Sequence, residues 1–242
     1  MKIIAIIQAR MSSKRLPGKV ILPFAGSTII EIIYKRLMPS LRLSKIIVGT
    51  SDNESDDILA DHLKEKKLNF FRGSLKNVLQ RFASICNHFK PDYVVRITGD
   101  CPLIDFSIMD QCIDKAISGK YDYFSLLEPY PDGLDVEIFR SSSLLEINQM
   151  NLKEYQREHI GQYFLKEENN YKVGGIKLFE DRHNDYRLTI DREEDYKFLL
   201  ELENRIENIA EAGIFDIFKI LQDNKEILNI NSSIPRNEGL FS

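Results

Sequence analysis

Residues 8–19, QARMSSKRLPGK, set four cationic side chains, Arg10, Lys14, Arg15 and Lys19, directly after an apolar run. Ser12, Ser13 and Gly18 are interleaved with them. Arginine offers a bidentate fork to an oxyanion, and lysine a compact point charge. Hydroxyls and the N–H groups of a glycine-containing loop approach phosphate oxygens closely. Such a segment suits the holding of a polyphosphate; a solvated basic turn is the competing account of the same charges. The spacing is not that of the Walker loop, because Val20 follows Gly18-Lys19 and Ser13 stands where the first glycine belongs, and it is not G-x-G-x-x-G.

Two acidic positions complete the chemistry. Gly99 and Asp100 lie just past an apolar stretch in YVVRITGDCPLID, residues 93–105, and Asp191 does the same in RLTIDREEDY, residues 187–196. A magnesium ion needs one or two protein carboxylates, with water and substrate phosphate oxygens completing its octahedron, so Asp100 with Asp191 would suffice. The alternative for Asp191 is a helix cap ahead of Arg192, since aspartate is favoured there for backbone reasons. Other reactive residue types have plainer readings. Cys101 reads as a small buried thiol, Tyr121, Tyr123 and Phe124 as core aromatics, and Lys64–Lys67 as the solvated end of a helix.

The elements that would position these residues follow from hydrophobic period. Strands are predicted at 3–7, 45–49, 70–71 with flanks, and 93–98, and helices at about 28–38, 56–67 and 75–89. This alternation is the rhythm of a doubly wound, mostly parallel sheet with helices on both faces. In such a sheet the loop leaving the carboxyl end of a central strand faces the ligand, which places the cations of residues 10–19 around an anion. Farther on the rhythm changes. A helix is predicted at about 105–118, then strands at 121–127 and 134–139 around the turn of residues 129–133. Helices at 142–149 and 154–167, strands at 172–178 and 186–190, and helices at 192–206 and 213–228 follow.

Composition narrows the partners. The 242 residues carry 33 Lys and Arg against 37 Asp and Glu, a formal charge of -4, without the basic excess of a nucleic-acid binder. No apolar run reaches the roughly 18 residues of a membrane span. Gln8 and Arg10 end the N-terminal run too soon for a signal peptide, so a cytoplasmic protein is expected. Cys86, Cys101 and Cys112 are odd in number and lack C-x-x-C spacing, which suits free thiols in a reducing compartment.

The segments IIQARMSSKRLPGK, VGTSDNESDD, FRGS with VLQRF, RITGDCPLID, PDGLDVE, REH and RLTIDREED run in this order along nearly the whole chain. Together they resemble the cytidylyltransferase family, in particular its spore-coat polysaccharide branch, which is similar to the synthetases of CMP-acylneuraminate and CMP-3-deoxy-manno-octulosonate. The resemblance implies a Rossmann-like fold and a Mg²⁺-dependent enzyme that moves CMP from CTP to an acidic sugar, releasing pyrophosphate. It makes Arg10, Lys19 and Asp100 the catalytic residues and Asp100 with Asp191 the metal carboxylates. Ala9, Arg10, Ser12, Ser13, Lys19 and Gly99 would line the triphosphate, and Ser51, Asp52, Ser74 and Arg81 the nucleoside. Asp135, Glu137, Arg157, Glu158 and His159 fall on the acceptor side, His159 being one candidate base. Gln8 departs from the proline common in those synthetases, which leaves open another acid sugar or a phosphorylated polyol. The whole of 1–242 would be one domain, with about 119–180 an insertion for acceptor binding and homodimerisation. Two rivals remain at this level. A glycosyltransferase commonly marks its metal site with D-x-D, whereas Asp100 is followed by Cys-Pro-Leu; a non-catalytic nucleotide-binding protein would keep the fold alone.

Overall fold

A computed structural model describes residues 1–166 and 170–236. Strand β1 (Ile3–Gln8) leads into the cationic loop and a 3₁₀ turn at Lys19–Ile21. A tight hairpin of β2 (Pro23–Phe24) and β3 (Ser27–Thr28) comes next. Then α1 (Ile29–Leu37), β4 (Lys45–Ser51), α2 (Asp57–Glu65), β5 (Phe70–Gly73), α3 (Val78–Phe89), β6 (Tyr93–Thr98) and α4 (Phe106–Ser118) alternate. Local chemistry fixes the helix starts. The Glu31 carboxylate accepts the Thr28 N–H at 3.2 Å, closing a capping box at α1. Asp105 caps α4 by accepting the Ser107 and Ile108 N–H groups at 2.8 and 3.3 Å.

The remaining elements are β7 (Tyr123–Leu126), β8 (Glu137–Arg140), α5 (Ser141–Asn148), α6 (Glu154–Glu158), α7 (Gly161–Phe164), β9 (Val173–Ile176), α8 (Glu193–Glu203) and α9 (Ile214–Asp223). Seven strands form one sheet in the order β5-β4-β1-β6-β8-β7-β9. The first four are mutually parallel, β8 is antiparallel to both its neighbours, and β9 runs parallel to β7. Both faces of β1 are covered. Ile3, Ala5 and Ile7 enter one core layer, with Ile29, Ile33 and Met109 of α1 and α4, while Ile4 and Ile6 enter the other, with Leu79 and Phe82 of α3. Each buried isoleucine contributes about 1.5–3 kcal/mol, so β1 is the axis of the fold. From β1 the chain goes first to β4 on one side and later returns to β6 on the other. The loops after β1 and β6 therefore diverge, and a crevice opens between their carboxyl ends.

Three predicted elements differ from the structure. Residues 186–190 form no strand; they run extended, with one isolated bridge between Arg187 and Asp132. Leu188 N–H donates to the Asp132 carbonyl at 2.7 Å and Ile190 N–H to that of Asp100 at 2.9 Å, so two separate loops satisfy backbone groups that a ladder would otherwise use. The helix predicted at 154–167 is two short pieces, because His159 leaves the helical region (φ -101°, ψ 75°); its last predicted residue, 167, lies outside the described residues. The final helix stops at Asp223, Asn224 breaks it, and a 3₁₀ turn covers Lys225–Ile230. The β2–β3 hairpin was not anticipated. Its turn needs positive φ at Ala25 and Gly26, and Ala25 gives no sequence signal for that.

Candidate active site

The loop after β1 folds back on itself. The Met11 carbonyl accepts the Ser13 and Gly18 N–H groups at 2.9 and 3.0 Å, and Gly18 takes a left-handed φ of 72°. This reversal delivers Lys19 into the crevice between β1 and β6. The loop is anchored to β4 through a residue the sequence did not single out. Buried Asp56 accepts the Met11 N–H at 2.6 Å with one oxygen, and the Ser51 N–H (3.2 Å) and hydroxyl with the other.

Lys19 Nζ lies 3.0 Å from Asp100 Oδ2 and 3.0 Å from Asp191 Oδ1. Arg15 pairs with the second oxygen of Asp191. Three distant segments thus meet in one cluster. Burial works against the Lys19 charge, but Asp100 and then Asp191 outweigh it and hold the ammonium above its ordinary pKa. Burial likewise opposes ionisation of Asp100, yet the Lys19 charge and a hydrogen bond from Thr98 keep that carboxyl below its ordinary pKa. Gly99 lets the end of β6 lie against that of β1, since a Cβ there would stand 2.9 Å from the Gln8 carbonyl oxygen. Arg36, buried behind the loop, donates to the carbonyls of Leu103 (3.3 Å) and Ile104 (2.7 Å) and so holds the segment after Asp100.

The capping account of Asp191 fails for a specific reason. The helix cap is Arg192, and the carboxylate that serves the helix start is Asp195, which accepts the Asp191 and Arg192 N–H groups at 2.9 and 3.0 Å. The Asp191 side chain faces the two cations instead. Asp195 is itself completely buried and gripped at both oxygens by Arg187, at 2.8 and 2.9 Å.

Asp100 and Asp191 suit a magnesium ion. The two carboxylates already share one cationic partner, the Lys19 ammonium, so they converge on one position. Among the described residues no group of three or more His, Cys, Asp or Glu could hold a metal alone; the other ligands would be phosphate and water oxygens.

The other predicted residues divide. Ala9 is buried, Ser12 is exposed, and the Ser13 hydroxyl accepts the Leu16 N–H at 3.3 Å. Ser51, with its hydroxyl committed to Asp56, helps hold the loop, while exposed Asp52 follows β4. Arg81 is 1% exposed, donates to the Ser74 carbonyl at 3.0 Å and leaves its buried Nε unpartnered; burial, reinforced by Arg10, lowers its pKa to about 10. Arg10 pairs with Glu158 at 3.3 Å, which brings the acceptor-side segment to the cationic loop. Asp135 accepts from the Tyr130 hydroxyl at 2.8 Å, and Arg157 donates to the Met150 carbonyl at 3.1 Å.

Arg96 was missed. It projects from β6 between two neighbouring strands, its Nε on the Gln8 side-chain oxygen at 2.9 Å and its Nη1 on Glu137, whose other oxygen accepts from the Tyr123 hydroxyl at 2.8 Å. Burial and then Arg96 hold the His159 pKa below its ordinary value. A charged residue inside the apolar run YVVRIT was the available signal, because a charge on a central strand needs a partner. Tyr123 is accordingly a buried hydrogen-bond donor, and the three cysteines are buried free thiols. A depression of about 370 Å³ at the opposite edge of the sheet, lined by Lys115, Tyr121 and Gly175 among others, contains none of these groups.

Known proteins resemble the chain along nearly its whole length. Residues 4–227 match the Cytidylyltransferase family. The chain is 32% identical over 230 residues to the spore coat polysaccharide biosynthesis protein SpsF of Bacillus subtilis, covering 93% of this chain and 95% of that protein. A 3-deoxy-manno-octulosonate cytidylyltransferase of Trichlorobacter lovleyi is 31% identical over 114 residues, 47% of this chain and 44% of its own. A solved structure of a cytidylyltransferase from Leptospira borgpetersenii superimposes with a TM-score of 0.88 at 33% identity, covering 94% of this chain and 97% of that one.

Proposed function

The chain belongs to the cytidylyltransferase family and is a nucleotidyltransferase, and from that premise we propose that it transfers CMP from CTP to an acidic sugar, releasing pyrophosphate, for surface glycan synthesis. The observation that carries this reading is the meeting of Lys19 with both Asp100 and Asp191 at 3.0 Å, at the crevice between β1 and β6.

In the reaction an acceptor oxygen attacks the α-phosphorus in line as pyrophosphate departs. The protein's task is then to position the reactants and to neutralise charge growing on the triphosphate oxygens. Lys19 and Arg10 supply that charge, with the hydroxyls of Ser12 and Ser13 and the N–H groups around Ala9 and Gly99 along the phosphates. Asp100 and Asp191 would hold a magnesium ion, whose chemistry is to polarise phosphate oxygens and neutralise the leaving pyrophosphate. Asp52, Ser74 and Arg81 lie toward the nucleoside. The unpartnered Nε of buried Arg81 supports that placement, because a buried donor without an acceptor is costly. The acceptor would lie over Glu137, Asp135 and the Arg157–Glu158–His159 segment; the 31% identity to an octulosonate cytidylyltransferase supports an acid sugar. His159, on the acceptor side, can accept the acceptor's proton.

Residues 119–180 carry the exposed apolar side chains Leu127, Leu165 and Val173. They support a homodimer through this region, which light scattering would read as twice the 28.1 kDa chain mass. The central test is pyrophosphate release with each nucleoside triphosphate, Mg²⁺ and a panel of acid sugars. Release that requires CTP and one acid sugar is expected. Release of a nucleoside diphosphate or CMP from a sugar nucleotide would point to glycosyl transfer, and no turnover with any pairing would point to a binding protein.

A further inference from the structure

Asp100 and Asp191 already have cationic partners. Among the described residues, Lys19 bonds both carboxylates and Arg15 pairs with the second oxygen of Asp191. Lys19 is only 8% exposed, so its ammonium fills the space between the acids rather than reaching into solvent. A divalent ion entering that position would meet a resident cation at contact distance, and like charges so close, partly shielded from water, repel strongly. A triphosphate changes the balance, because it brings more negative charge than the metal brings positive. The lysine stem has four rotatable carbons and an ammonium indifferent to direction, so it can follow the phosphates.

We propose that Lys19 is a displaceable internal cation: with no nucleotide bound it holds the place between Asp100 and Asp191, and a divalent metal is admitted there only as phosphates draw the ammonium away. This rests on the reading of Asp100 and Asp191 as the metal carboxylates. Its consequence is an order of events. Metal binds feebly to the protein alone and firmly together with nucleotide, so the acids are never left as an uncompensated pair, nor crowded by lysine and metal at once.

The test is a titration of the full chain with Mn²⁺, free Mn²⁺ being read by electron paramagnetic resonance. Without nucleotide, Lys19→Met and Lys19→Gln are expected to bind Mn²⁺ at least tenfold more tightly than the wild type, and Asp191→Asn added to either is expected to remove the gain. Two folded Lys19 variants that bind no more tightly than wild type would overturn the proposal. A second measurement is made on the wild type. Without nucleotide, acetic anhydride labelling followed by peptide mass spectrometry is expected to show Lys19 acetylation unchanged at Mn²⁺ concentrations that saturate the Lys19→Met variant, and a several-fold rise there would overturn it equally. The underlying site reading is checked separately, with CTP present. If Asp100→Asn and Asp191→Asn both leave Mn²⁺ uptake there unchanged, the metal assignment fails and the proposal falls with it; if they abolish uptake while the Lys19 results are negative, only the displacement idea is lost.

Discussion

Two ion clusters flank the start of α8, four residues apart, and they are built on opposite terms. Asp195 accepts five hydrogen bonds, from two nitrogens of Arg187, from Asn231 and from the N–H groups of Asp191 and Arg192, and it has no exposure to solvent. Asp100 keeps a third of its side chain exposed, and its charged partner is a lysine shared with Asp191. A carboxylate with every lone pair occupied can only hold structure. One that is ionised, partly open and balanced by a mobile cation can still take a ligand. The closed cluster also aims the open one, because Asp195 fixes the backbone of Asp191.

The comparison breaks most visibly in activity. Lys19→Ala and Asp100→Ala are each expected to lower kcat by on the order of 10²–10³-fold or more with little change in melting temperature. Near-wild-type turnover in either would show the open cluster to be structural after all. Asp195→Ala should do the reverse first. It takes the bidentate partner from the buried Arg187 guanidinium and leaves it, among the described residues, only Asp132 as an anionic partner, at a cost of about 3 kcal/mol in a denaturant titration, with activity falling only as a consequence of Asp191 losing its place. A smaller effect is expected at the edge between the clusters and the acceptor side. Arg96→Met leaves Glu137 without its cation, for about 2 kcal/mol of stability, and should raise the KM for acceptor more than that for CTP.

The mildest test is pH. Burial and then Asp135 push the Asp132 pKa up to about 6, despite its 2.8 Å pair with Arg187. Its folded pKa therefore exceeds the unfolded one. The native state binds the extra proton between about pH 4 and 6, so this group makes stability fall as pH rises through that window. Asp132→Asn should flatten that part of the stability profile, and an unchanged slope would remove Asp132 as its source.

Much of this was legible residue by residue. The apolar run of β1 read as a central strand because burial on both faces leaves no alternation, and the cations after it marked the end where Lys19 meets Asp100 and Asp191. Gly99-Asp100 followed from the same logic at β6. The 154–167 helix did not, since its break at His159 comes where the chain packs over Glu137 and Tyr123: a Cβ on Gly161 would lie 2.0 Å from Glu137 Oε1. No local pattern announces such a contact. The 186–190 segment has strand composition but satisfies its backbone on two different loops, and only the assembled fold supplies those partners.

By itself the sequence determined the class of fold, the end of the sheet that carries the candidate site and the sign of the charge on its first loop. These depend on hydrophobic period and on the order of elements, which are local or additive along the chain. The choice between capping a helix and meeting Lys19 was decided for Asp191 by tertiary structure alone. Its partner lies 172 residues away, and the start of the helix is served instead by Asp195, which accepts the Asp191 and Arg192 N–H groups. When two partners compete for one carboxylate, distances set by the rest of the fold choose between them, and no run of neighbours records that choice.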